Sequence, residues 1–219
     1  QLGQTALVHE RGERLDRRLD EFAGLTETLA MSGDDGSGID AAFALTPLGP
    51  GLDRDRLAGV LPPPRDIAEQ VAALRSRLDR ARGQQHTSSY RGALADVEAI
   101  VAEARPLAYA PLIGEALLEL GAIQNHAGDR EQADGSLREA IRWASLGGDD
   151  ATLTDAWKIR VFAATELDRY PEALAYAEAA ESIAARARDP EATQAQIRSY
   201  VSDVYRRRDQ FDEARATLE

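Results

Sequence analysis

A turn of the same kind recurs along this chain from residue 90 onward. Tyr90-Arg91-Gly92-Ala93, Arg130-Glu131-Gln132-Ala133, Tyr170-Pro171-Glu172-Ala173 and Phe211-Asp212-Glu213-Ala214 set their alanines 40, 40 and 41 residues apart, and three of the four begin with an aromatic. A fixed period in this range marks an array of stacked units, and it constrains the fold more than any local propensity does. One unit cannot bury its apolar side alone, so it buries it against its neighbours. The product is an extended surface, and such surfaces bind more often than they catalyse.

Composition agrees with a helical array. Of 219 residues 43% are hydrophobic and only 5% aromatic, a mixture rich in alanine, leucine, arginine and glutamate that favours helix over strand. The formal net charge is −12, and the regions 1–64, 65–146 and 147–219 are each net negative. Phosphate binding needs excess positive charge, so a nucleic-acid partner is not expected. The chain has no cysteine, which excludes disulfides and thiolate chemistry. No apolar run reaches the length of a membrane span, and no signal-peptide pattern opens the chain. A cytoplasmic location is therefore expected. The chain opens on Gln1 and stops three residues after Ala216, inside an expected helix, so a piece of a longer protein is expected.

Punctuation divides the sequence at about residue 64. Apolar spacing predicts a helix over Thr5–Ala30, with Leu7, Leu15, Leu19, Phe22, Leu25 and Leu29 near one face. The glycines and aspartates of 31–38 predict a flexible loop, followed by short helical pieces at Ile39–Leu45 and Asp53–Val60. Pro62-Pro63-Pro64 is a rigid break. Four helix pairs are expected after it, at about 65–106, 107–147, 148–188 and 189–219, the last cut short. Expected caps are Asp66 with Glu69, Thr152 with Asp155, Asp129, Asp209, and Asp189 ahead of Pro190.

The spacing of Leu117, Leu120, Gly121, Gly128, Ala133, Leu137 and Ala140 resembles the tetratricopeptide repeat. Trp157, Tyr170, Ala173 and Ala180 repeat the pattern, as do Tyr205, Phe211 and Ala214. The period exceeds the family's 34 residues, and Val161 stands where a small residue is usual. The stretches Leu25–Leu29, Ile39–Leu48 and Asp53–Pro64 extend the likeness. With them the chain resembles the region that follows the catalytic domain in bacterial serine/threonine protein kinases of the myxobacterial type. The resemblance implies an all-α, right-handed superhelical solenoid of antiparallel helix pairs behind an N-terminal helical segment. It implies a non-catalytic scaffold that binds a protein or peptide segment, with self-association into a homo-oligomer as the alternative.

In that family the first helix of each pair lines an inner groove. Carried over, the groove positions are Arg75, Leu78, Arg82 and Gln85, then Glu115, Leu118, Ala122 and Asn125. The third and fourth pairs contribute Asp155, Lys158, Phe162 and Thr165, then Gln196, Ser199, Asp203 and Arg206. Phe162 stands out as an aromatic anchor for a partner. The run Arg206-Arg207-Arg208 could hold an acidic peptide or answer its own helix dipole. The three histidines His9, His86 and His126 make no metal set, and no nucleophile–base pair or kinase motif is present. Catalytic residues, cofactor and metal are all expected to be none. Asp149-Asp150 reads as a solvated linker with a capping role.

Overall fold

The computed structural model of the chain describes Asp20, Ala23 and residues 60–85, 90–187 and 189–219. Among the described residues every regular element is helical and none is a strand. In order they are α1 (Ala68–Gln85), α2 (Tyr90–Ala104), a 3-10 turn (Arg105–Leu107), α3 (Ala110–Ala127), α4 (Arg130–Gly147), α5 (Asp150–Glu166), α6 (Tyr170–Ala184), α7 (Pro190–Arg207) and α8 (Phe211–Ala216). The expected loop at 31–38, the short pieces at Ile39–Leu45 and Asp53–Val60, and the helix over Thr5–Ala30 lie outside the described residues, except for Asp20 and Ala23, which are helical, and Val60, which is in a bend.

The four corner motifs open α2, α4, α6 and α8, so the period read from the sequence is the period of the helices. The first three of these second helices bury the same stripe. Ala93, Val97, Ile100 and Ala104 are buried in α2; Ala133, Leu137, Ala140 and Ala144 in α4; Ala173, Ala177, Ala180 and Ala184 in α6. Steps of four, three and four residues keep a side on one helical face. Alanine recurs in the stripe because it lets backbones approach closely.

The turns repeat as well. Gly128, Asp168 and Asp209 each adopt positive φ two residues before a second helix, at +93°, +58° and +58°. In each, the following N–H reaches back to a carbonyl of the ending helix: Asp129 to Gln124 at 2.9 Å, Arg169 to Ala164 at 2.9 Å, Gln210 to Tyr205 at 3.0 Å. A left-handed residue closing that bond stops a helix sharply, and Gly, Asn and Asp are the residues that tolerate it. Asp209 is thus the turn residue, and Gln210 takes the cap position expected for Asp209. Asp129 does occupy the cap of α4 but makes no side-chain cap bond. The cap of α5 is Asp149, which accepts from the Thr152 N–H at 3.1 Å and its hydroxyl at 2.7 Å, not Thr152 with Asp155. Asp66 is not a cap either, because the ladder of α1 starts at the Ile67 carbonyl. Asp189 ahead of Pro190 caps α7 as expected, accepting from Ala192 N–H at 3.0 Å.

The chain divides into two compact units, Gln1–Leu112 and Ile113–Glu219. In the first, α1 packs on α2, Arg77 pairs with Glu103 at 2.8 Å, and Asp20 accepts from the Ser76 hydroxyl. The Tyr109 hydroxyl donates to the Leu61 carbonyl at 2.7 Å and holds the proline segment in place. In the second unit, α3 to α8 pack in succession. Gly114 lies against Ala140 and Ala144, and Gly121 against Ala133 and Leu137, so α3 and α4 run antiparallel. A Cβ on Gly121 would sit 2.6 Å from Leu137 Cγ, whereas one on Gly135 meets nothing within 4 Å.

These two glycines should respond oppositely to substitution. Gly121→Val should lower stability by about 2 kcal/mol through overpacking. Gly135→Ala, in the open interior of α4, should raise it by up to about 1 kcal/mol. Urea unfolding followed by circular dichroism reads both, and a neutral Gly121→Val would overturn the close approach.

Candidate binding face on α5 and α7

Helices α5 and α7 lie beside each other with α6 packed on both. Three rungs join them at successive turns. Lys158 Nζ donates to Gln196 Oε1 at 2.8 Å. One turn on, the rings of Phe162 and Tyr200 meet edge to face, 6.5 Å between centroids. A further turn on along α5, and two turns on along α7, Arg207 donates to Glu166. Because later residues of α5 meet later residues of α7, the two helices are parallel. Positions 158, 162 and 166 are one face of α5, since side chains four apart stack along a helix.

The expected groove residues divide on this frame. Lys158, Phe162, Gln196, Asp203 and Arg206 come together on or beside the ladder, with Asp155 in ion pair to Lys158 at 2.7 Å and Ser199 exposed on α7. Thr165 does not belong to it: its side chain is buried and its hydroxyl donates to the Val161 carbonyl at 2.8 Å. Asn125 is also buried, and its Oδ1 accepts no hydrogen bond. Glu115, Leu118 and Ala122 are half-buried on α3. In the other unit Leu78 is a core side chain, Arg82 pairs with Asp79 at 3.0 Å, and the Arg75 guanidinium lies 5.7 Å from the Tyr109 ring centroid. The Gln85 side chain, like His9 and His86, is outside the described residues; His126 is exposed.

The arginine run is engaged by acids of its own unit. Asp203 holds Arg206 and, at 3.1 Å, Arg207, while Glu166 holds Arg207 and, at 3.2 Å, Arg130. Burial alone would raise the Asp203 carboxyl, but the two guanidiniums outweigh it and hold it below the usual carboxylate range. Asp149 caps a helix as expected, while Asp150 forms an ion pair with Arg186 at 2.7 Å instead of remaining a solvated linker residue.

A second cluster, beneath this face, was not foreseen. Arg160 is buried in α5. Its Nε donates to Asp134 of α4 at 2.7 Å, and a terminal nitrogen donates to the Tyr176 hydroxyl of α6 at 2.6 Å. The same guanidinium lies 3.9 Å from the Tyr176 ring centroid and 5.0 Å from that of Trp157. The Tyr176 hydroxyl in turn donates to Glu172 at 3.1 Å, and Arg138 adds a second cation to Asp134 at 2.6 Å. Burial pushes the Asp134 carboxyl up, yet its bonds and charge interactions with Arg160 and Arg138 prevail and lower it below 3.8. Tyr200 and Glu166, the other residues missed, each lie one position from a predicted one, Ser199 and Thr165, while Arg207 belongs to the predicted run 206–208.

Among the described residues no group of three or more His, Asp or Glu side chains could hold a metal ion, and no helix is long and apolar enough to cross a membrane. In comparisons with known proteins the chain matches no protein-family model, no curated protein and no solved structure.

The Asp134 pair sets a pH dependence of stability. Its folded carboxyl is depressed, so its contribution is full above the unfolded value and is lost as pH falls below about 3.8 toward the folded value. Asp134→Asn strands the buried Arg160 and should cost about 3 kcal/mol at neutral pH. Thermal melts at pH 7 and pH 3 should show the gap between variant and parent narrowing on acidification; a gap that widens would contradict it.

Proposed function

We propose that the chain is a non-catalytic protein–protein interaction scaffold. In this reading its helix pairs continue as a right-handed, tetratricopeptide-like solenoid. The module would be the partner-binding region of a larger bacterial signalling protein, such as a serine/threonine kinase. The observation that supports it is Phe162. Its side chain sits on the middle rung of the α5–α7 ladder, 38% exposed, while the apolar stripes of α2, α4 and α6 are buried. An aromatic held by an edge-to-face neighbour and rimmed by satisfied polar pairs has the character of an interface anchor. Its geometry is fixed before a partner arrives, which lowers the ordering cost of docking.

Self-association is a second reading, favoured by a different observation. Leu218 stands at the stripe position that Val97, Leu137 and Ala177 occupy in the earlier pairs. Those three are buried, while Leu218, in the turn after α8, and Phe211, at its start, are exposed. Exposed large apolar side chains of this kind are covered in many proteins by a second subunit. Light scattering of the parent and of a Phe211→Ser, Leu218→Ser variant across concentration separates the two readings: a mass that rises only for the parent favours self-association.

For the docking reading, the full chain serves as bait for cross-linking and mass spectrometry, and the captured protein is then titrated by calorimetry. Phe162→Ala should weaken that protein's binding by at least about 2 kcal/mol. Leu146→Ala, exposed at the end of α4 and away from the ladder, should leave it unchanged. Undiminished affinity of Phe162→Ala would defeat the reading.

A further inference from the structure

The α5–α7 ladder carries its charges at different depths at its two ends. At the start of α5 the cation is the inner partner: the Lys158 side chain is 16% exposed and its Asp155 carboxylate 51%. At the far end of the ladder the order reverses. Asp203 is 25% exposed while Arg206 is 69% exposed, and Arg207 likewise lies outside Glu166. Each pair is neutral in sum, but the surface a partner meets is negative at one end and positive at the other. Phe162 and Tyr200 lie between.

The dimensions follow from helix geometry. Asp155 is seven residues from Phe162, a rise of about 10 Å along α5. Arg206 is six residues from Tyr200 along α7, a rise of about 9 Å. An extended peptide covers such distances in about three residues each.

We propose that this face binds a peptide segment with an apolar or aromatic anchor on Phe162–Tyr200, a Lys or Arg about three residues to one side and an Asp or Glu about three residues to the other. The inference rests on the docking reading and adds the charge order of the occupant. The basic side chain lies over the Asp155 carboxylate and the acidic one over Arg206, so the two ends fix the direction in which the segment lies. A uniformly acidic segment meets the Asp155 carboxylate in the field of a chain of net charge −12. A uniformly basic one meets the exposed guanidinium of Arg206. Like charges at such distances oppose docking and set specificity more than affinity.

Three labelled nonapeptides with a central tryptophan test this by fluorescence anisotropy on the full chain: one flanked by lysines on one side and glutamates on the other, one by lysines on both, one by glutamates on both. The mixed probe should bind about fivefold more tightly than either uniform probe at low salt. The margin should shrink at 0.5 M salt, where exposed charges are screened. Asp155→Lys should remove the preference by raising affinity for the glutamate probe, and Arg206→Glu should do the same for the lysine probe. Both positions are exposed, and neither substitution enters the core. Equal binding of the three probes, or a preference unmoved by both substitutions, overturns the charge order. Absence of binding by all three overturns it too. In that case the docking reading still stands if capture of the cross-linked partner depends on Phe162, and falls with it if it does not.

Discussion

The guanidinium of Arg160 is the interaction on which the second unit depends. A buried charge is tolerated only where its hydrogen-bonding capacity is answered, and here one planar group is answered from the helices before and after its own. Asp134 comes from α4, the side chain itself from α5, and Tyr176 from α6. Trp157 and Tyr176 lie 5.5 Å apart and flank the group, so the aromatic packing and the ion pair position each other. An apolar contact would tolerate small slides between helices. A fork of directed hydrogen bonds does not, and it fixes the angular setting of α5 from which the exposed ladder projects.

The scaffold was legible in the sequence because its signal is additive. Alanines and aliphatics at steps of four, three and four recur at 93–104, 133–144 and 173–184, and every recurrence strengthens the same inference. Helix ends were less legible. Gly128 announces its positive φ, but Asp168 and Asp209 do the same work with residues that equally suit a cap, and Asp209 was assigned to the wrong one of those tasks. Residues 1–59, apart from Asp20 and Ala23, lie outside the described residues.

The residues of the α5–α7 ladder were legible only in part, and most of the misses are single-residue shifts. On a helix one residue is a rotation of about 100°. A projection from spacing alone can therefore name Ser199 where Tyr200 meets Phe162, or Thr165 where Glu166 meets Arg207. Thr165 was assigned to solvent and is core, because its hydroxyl is satisfied by its own helix at Val161 and costs nothing to bury. Arg160 gave no signal at all. Its partners are 26 residues earlier and 16 later, and no periodic pattern connects a single buried arginine to them.

The parallel ladder also governs how such a chain can diverge. Its three rungs join residues four apart on α5 to residues on α7 across the whole of α6 and two left-handed or capped turns. A changed side chain alters one rung. A residue inserted or deleted anywhere between 166 and 196 alters the count that brings α7 back alongside α5, and displaces all three rungs together. The surface chemistry of this face is therefore free to vary one side chain at a time, while the length of that segment is not.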